Sequence, residues 1–341
     1  MFERHPFYQN HIAIDVLRGV AALLVLFSHA DAYNLVQPGI LSPYRGYAGE
    51  IGVYLFFIMS GYLIWVSANR TLERPGGLYE YAVHRATRIM PLYYAALAFG
   101  ILVFPFLSPF QQNLNFYTIF RNITFTQTLN PSAARSINPV LWTITLEVLF
   151  YILVPFLHKL RGYFFVVVGI AIFTSWYASQ YPGAMFSPFL RLFFLFVIGM
   201  AFANFTLIPK PLFFWSAVAV AVIMSMDRWS SMSVSIAWSV VIFSGVAAYR
   251  RYETTLLWRV LAFFGLISYS LYIWHYMLIE MVGPITSEAS IRNPALSAVL
   301  FTAFCALFSW ISYQLIEKPG QTTLRQWCLD WRKRRQVQLR T

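Results

Sequence analysis

Charge is scarce in this chain. Of its 341 residues only 11% are Asp, Glu, Lys or Arg, less than half of the roughly 25% usual for a soluble domain. That scarcity excludes an ordinary soluble globular fold. Acidic residues are the rarer sign, 13 against 25 Lys and Arg. Cysteine is nearly missing: Cys305 lies in an apolar run and Cys328 in a basic one, a placement that supports neither a disulfide framework nor a zinc site. Fixed-period repeats and low-complexity tracts are also lacking, so no repeat array or compositionally biased linker is expected. A cleavable leader is not expected either. The first apolar run begins at Ile12, carries Asp15 and Arg18 and lacks a small-residue cleavage site, so it should remain as the first helix.

What the chain has is hydrophobic length. Apolar residues make up 59% and aromatics 19%, in runs matching the roughly 17 to 25 residues needed to cross about 30 Å of hydrocarbon. Runs broken by Pro, Gly and charge predict ten helices centred near Leu24, Phe57, Leu97, Leu149, Gly169, Phe196, Val218, Val240, Leu271 and Ala306. The expected fold is an all-α polytopic membrane protein forming one membrane-embedded domain over 1–341. Its core runs from about 12 to 320, and 321–341 forms a basic cytoplasmic tail. With ten spans both termini share a side. Arg45, Arg121, Arg135, Arg191, Arg228 and Arg292 fall on the opposite side, and the other 19 of the 25 basic residues on that of the termini. The bias places both termini in the cytoplasm. Membrane topology thus accounts for most of the net charge of +12, and no nucleic acid is expected as a partner. The segment Trp331 to Arg340 reads as a solvated or anionic-lipid-contacting end.

Ionisable residues inside spans cost about 2.5 to 3.5 kcal/mol each at mid-bilayer and are functional candidates for that reason. They are Asp15, Arg18 and His29 in the first helix, Glu147 in the fourth, and His275 and Glu280 in the ninth. Arg18 and His29 lie on nearly one helical face, roughly 16 Å apart. That separation is close to the reach of an extended pantetheine arm, and it suits an acyl-thioester donor whose phosphates stay cytoplasmic. Counted from helix ends, Glu147 and His29 have similar depths. A carboxylate beside an imidazole fixes its tautomer and stabilises the imidazolium formed when the ring deprotonates a hydroxyl. The plainer alternatives are a packed core histidine and a glutamate paired with an arginine.

Arg85 and Arg88 are three residues apart, hence neighbours on one helical face, just before Pro91. Their guanidinium forks could grip the phosphates of coenzyme A, or they could be ordinary cytoplasmic anchors. The ninth span, Ser268-Tyr-Ser-Leu-Tyr-Ile-Trp-His275, could line an acceptor cavity, or His275 could satisfy a buried hydrogen bond between helices.

Six segments in one order resemble the acyltransferase-3 family of bacterial integral membrane O-acyltransferases. They are Ile14-Asp15-Val-Leu-Arg18-Gly19 ending in His29, Gly52-Val-Tyr-Leu-Phe-Phe-Ile-Met-Ser60-Gly61, Arg85-Ala-Thr-Arg88-Ile-Met-Pro91, Val140-Leu-Trp142-Thr-Ile-Thr-Leu-Glu147-Val-Leu-Phe-Tyr151, Ile267-Ser-Tyr269-Ser-Leu-Tyr272-Ile-Trp-His275 and Ile316-Glu317-Lys-Pro319. The resemblance implies transfer of an acyl group, with acetyl the expected one, from acetyl-CoA to a hydroxyl of a surface glycan such as lipopolysaccharide or exopolysaccharide, in the bacterial inner membrane. It implies functional roles for Arg18, His29, Arg85, Arg88 and Glu147. The chain departs from many relatives at Tyr54, where they carry an acid, and at Thr143, where they carry serine.

The expected enzyme is an acyl-CoA-dependent O-acyltransferase. His29 and Glu147 would be catalytic, and Arg18, Arg85 and Arg88 would bind the acyl donor. Tyr54, Trp142, Tyr269 and His275 are candidates for an acceptor cavity. Acetyl-CoA acts as substrate and no metal is expected. Partners are acyl-CoA, a surface glycan or lipid-linked sugar, and membrane lipids. The competing reading is a transmembrane acyl-group conduit that supplies a separate transferase.

Overall fold

Long apolar runs with few interior breakers can satisfy their backbone only as helices, and helices are what they form. The computed structural model describes residues 11–32, 46–107, 114–129, 136–183, 186–205, 211–227, 230–248 and 255–338, and no strand occurs among them. Of the basic residues used for orientation, Arg4, Arg45, Arg135, Lys210, Arg228, Arg250, Arg251 and Arg340 lie outside the described residues.

The principal helices are α1 His11–Ala32, α2 Tyr47–Thr71, α3 Gly77–Leu102, α4 Phe116–Ile123, α5 Trp142–Lys159, α6 Phe164–Gln180 and α7 Ser187–Asn204. They continue with α8 Pro211–Met226, α9 Ser231–Ala248, α10 Leu256–Leu266, α11 Ser268–Arg292, α12 Pro294–Ser312 and α13 Arg325–Gln338. All ten centres read from the sequence fall on helices, but not all ten helices are equivalent. Among the described residues six stretches are long and apolar enough to cross a membrane, or seven if a bent pair counts as one. The apolar stretches Phe213–Met226 and Ser231–Ser244 are shorter. Helix α3 carries Glu80, Arg85 and Arg88 in its first half, a polar load that its apolar second half does not offset. The ninth segment breaks at Ile267, where α10 and α11 meet at a bend of 74°.

Close backbone approach organises the centre. A Cβ placed on Gly265 of α10 would lie 1.7 Å from the Asp15 carbonyl oxygen of α1, and one on Gly199 of α7 would lie 2.0 Å from that of Ile58 of α2. Small residues at such crossings let apolar helices touch along their backbones, the packing mode that works where lipid offers no hydrophobic driving force. Around these contacts α1 packs on α2, α10 and α11, and α2 on α5, α7 and α9. Trp65, Tyr93, Phe150 and Phe196 fill the interior. Conversely, Phe165, Val166, Ile170, Phe173 and Trp176 leave an apolar outer face on α6, the surface a bilayer requires.

Between α4 and α5 the chain folds into the bundle. Ile137 and Leu141 are fully buried, Asn138 Nδ2 donates to the Ile273 carbonyl at 2.9 Å, and Tyr93 Oη donates to the Asn122 carbonyl at 2.7 Å. Helix α5 therefore starts inside the protein, which sets the depth of every residue it carries. At the far end of the chain, α12 runs through two π-helical turns, Tyr313–Glu317 and Gly320–Leu324, into α13. Such turns absorb an interior proline, here Pro319, and re-aim side chains.

Candidate active site

Five helices converge on one cavity of about 360 Å³, within the size range of small-molecule sites. Its charged wall comprises Asp15 and Arg18 from α1, Arg85 and Arg88 from α3, and Glu147 from α5. Hydroxyls reach it from Ser60 of α2, Thr143 and Tyr151 of α5, and Ser268, Tyr269 and Tyr272 of α11. Met59, Leu63, Ile64 and Ile144 supply apolar surface.

The three arginines are loosely held. Arg18 lies 3.9 Å from Asp15, and Arg88 lies 4.0 Å from Glu317. Arg85 rests against the rings of Tyr81 and Tyr151, at 5.7 and 5.6 Å from their centroids. Its buried Nε has no hydrogen-bond partner among the described residues. A buried donor without a partner costs about 1–3 kcal/mol, and guanidinium forks match phosphate oxygens bidentately. The cavity is therefore suited to an anion.

Glu147 belongs to this cluster. Its Oε1 accepts from Tyr151 Oη at 2.6 Å and from Ser60 Oγ at 3.2 Å. His29 does not line the cavity. Its Nδ1 lies 3.1 Å from His275 Nε2, and its ring meets Tyr276 edge-on at 5.9 Å. The expected contact between Glu147 and His29 is thus not made: the carboxylate faces two hydroxyls, and the imidazole faces a second imidazole. The reason is axial offset. Thr143 Oγ1 donates to Tyr272 Oη at 2.8 Å; Glu147 lies one turn beyond Thr143 toward Arg18, and His29 meets α11 one turn beyond Tyr272 in the opposite sense. At 1.5 Å per residue the two side chains differ in depth by about 10 Å. Similar depths counted from helix ends do not hold here because α5 begins deeper in the bundle than α1 ends.

Among the residues expected at an acceptor cavity, Tyr269 lines the cavity and donates to the Ile89 carbonyl at 2.9 Å. Tyr54 is buried elsewhere, beside Glu50, Arg191 and Ser231. Trp142, at the start of α5, packs against the core one residue short of the lining residue Thr143. His275 is 1% exposed and, of its two sequence readings, takes the buried hydrogen bond between helices. Tyr54 and Trp142 stand apart from this cavity for one reason: helical periodicity places a residue on a face, and the packing of other helices decides what that face meets.

Glu317 was not singled out as a site residue. It is 2% exposed, accepts from Ser270 Oγ at 2.8 Å and from Gln321 Nε2 at 3.0 Å, and faces Arg88. Its legible signal was the segment Ile316-Glu317-Lys-Pro319, an acid beside a proline at the end of an apolar run. Tyr151 had a signal too, since a hydroxyl four residues after Glu147 shares its helical face.

Residues 11–314 match the acyltransferase-3 family, described as an acyltransferase domain. The chain is 28% identical over 291 residues to the exopolysaccharide production protein ExoZ of Rhizobium meliloti strain 1021, covering 80% of this chain and 89% of that protein. It is 28% identical over 333 residues to an O-acetyl transferase of Shigella phage Sf6, covering 89% and 94%. It is 25% identical over 314 residues to nodulation protein 10 of Rhizobium leguminosarum bv. viciae, covering 78% and 82%. No solved structure matches it. With most of its length matched and its apolar helices packed around one charged cavity, the chain belongs to the acyltransferase-3 family of multi-pass membrane acyltransferases.

Proposed function

We propose that this protein transfers an acyl group, acetyl in the first instance, from cytoplasmic acyl-CoA to a hydroxyl of an extracytoplasmic glycan such as lipopolysaccharide or exopolysaccharide. It would do so in the bacterial inner membrane, with ten crossings and both termini in the cytoplasm. The observation that carries the reading is the convergence of Arg18, Arg85 and Arg88 on one cavity. Their neighbouring carboxylates hold them only loosely, at 3.9 Å for Arg18 and 4.0 Å for Arg88, and Arg85 Nε has no hydrogen-bond partner among the described residues, so guanidinium N–H groups are left for the acyl donor's phosphates. The Lys159 and Arg161 pair at the end of α5, like Arg70 in the last turn of α2 and Arg74 just after it, extends the same positive end of the bundle, in keeping with a cytoplasmic mouth. The names of the relatives, exopolysaccharide production and O-acetyl transfer, support the acceptor class and acyl group.

In this reading Arg85 and Arg88 hold phosphates, and Arg18 binds a phosphate or the pantetheine stem. The arm would then pass the Phe56 and Tyr272 rings, which meet edge-on at 5.9 Å, to bring the thioester toward His29. His29 takes the proton of the acceptor hydroxyl, whose oxygen attacks the thioester carbonyl. The C–S bond breaks, and the thiolate leaves with the proton that His29 carried. Glu147 has a different task from the one its sequence position implied. It balances the arginines and holds Tyr151, on which Arg85 rests.

The test is reconstitution. Purified protein in lipid nanodiscs, given radiolabelled acetyl-CoA and a purified exopolysaccharide or lipopolysaccharide, is expected to yield labelled glycan without a second protein. Thioester consumption that requires an added transferase would establish the conduit instead. Retention of glycan acylation by His29→Ala would reject His29 as the base.

A further inference from the structure

The two histidines form a chain of hydrogen bonds with a fixed direction. His275 Nδ1 lies 2.7 Å from the Tyr272 carbonyl of its own helix, and His29 Nδ1 lies 3.1 Å from the Val25 carbonyl of its own. A carbonyl oxygen only accepts, so each Nδ1 carries a hydrogen. Between the rings, His275 Nε2 stands 3.1 Å from His29 Nδ1. The hydrogen on His29 Nδ1 is therefore shared between the Val25 carbonyl and His275 Nε2, and His275 Nε2 is the acceptor. No carboxylate is hydrogen-bonded to either ring among the described residues. His29 Nε2, on the far side of its ring, has no partner among them, and its side chain is partly exposed while His275 is not.

We infer that His275 is the positioning residue of His29: it holds the ring by its Nδ1–H and leaves Nε2 unprotonated and outward, the atom a general base must present. The inference rests on the proposed role of His29. It assigns to a neutral imidazole the task that a carboxylate performs in a serine-histidine-aspartate triad, where the group behind the base fixes the tautomer and stabilises the imidazolium. During transfer the hydroxyl proton arrives at His29 Nε2, and the positive charge is shared through Nδ1–H with His275 Nε2. When the C–S bond breaks the same proton passes to the thiolate sulfur, and both rings return to their starting state. The geometry favours this arrangement because both rings are tied to their own helix backbones before they meet.

Histidine-selective ¹⁵N labelling of the full protein in nanodiscs reads the tautomer directly. A neutral His29 ring with its proton on Nδ1 is expected, assigned by its loss in His29→Gln. A proton on Nε2 would overturn the inference. Kinetics supply the second arm. His275→Phe keeps ring bulk but offers no acceptor, and is expected to lower kcat at least tenfold with donor KM unchanged. His275→Gln places an amide oxygen toward His29 and is expected to recover part of that loss. Equal rates in His275→Phe, His275→Gln and the parent would overturn the inference, as would a fall in donor affinity alone. Size-exclusion profiles and melting curves of both variants identify any that fail to fold, in which case the tautomer measurement on the parent protein decides. Intact acylation in His29→Ala defeats the proposed role of His29 as base, whereas a dead His29→Ala whose parent shows an Nε2 proton defeats only the role of His275.

Discussion

Arg88 and Glu317 face each other at 4.0 Å, one from the polar half of α3 and the other from the π-turn that continues α12. Glu317 is the better buried of the two and is also held by Ser270 and Gln321, so it fixes the guanidinium rather than the reverse. Replacing it by Gln keeps the size and removes the charge. At 4.0 Å the pair is an ion pair rather than a hydrogen bond, and losing its positioning effect, about 1 kcal/mol, is expected to raise donor KM severalfold in Glu317→Gln. Steady-state kinetics with acetyl-CoA on folded protein check this, and an unchanged KM would separate Glu317 from donor binding.

Arg85→Ala removes the guanidinium whose Nε is unpartnered. We expect a loss of donor affinity of about 1.5–3 kcal/mol with a smaller change in single-turnover rate on bound donor. Arg85→Lys is expected to recover only part, because an ammonium cannot reproduce the fork. Isothermal titration with coenzyme A gives the affinity, and a full recovery by lysine would show that charge alone matters there.

Because Glu147 and His29 sit in separate clusters, their substitutions are expected to be independent. For residues more than about 7–10 Å apart without shared partners, effects add within about 0.5 kcal/mol. The ΔΔG‡ of the double variant Glu147→Gln, His29→Gln should equal the sum of the single values. A coupled pair would instead lose most of its rate in the first substitution and little in the second. Residual transfer rates of the four proteins complete the cycle.

Gly265→Ala puts a methyl where the Asp15 carbonyl stands 1.7 Å away. One of the two backbones must move, at a cost of about 1–3 kcal/mol or more. A lower melting temperature in detergent is expected, together with weaker donor binding because Asp15 and Arg18 move with α1. Unchanged melting would show that the α1 and α10 contact is looser than its geometry.

The membrane class, the ten helical segments and the pairing of Arg85 with Arg88 on one face follow from the sequence alone. Each depends on quantities measured along a single helix: apolar length, the cost of charge in hydrocarbon, and a turn of 100° per residue. Arg18 and Tyr269 both line the cavity, because the helical faces that carry them are the ones that meet it. Only the tertiary structure decided who stands opposite whom. His29 and His275 are 246 positions apart, and no spacing rule joins them. Glu147 was legible as costly and therefore important, but its partner was not. Its depth is set by residues 136–141 folding into the bundle and carrying the start of α5 with them, and by the 74° bend that aims α11 past Tyr272 toward His29. One-dimensional periodicity fixes azimuth and rise within a helix; the axial offset between helices comes from packing, and it separated the carboxylate from the imidazole.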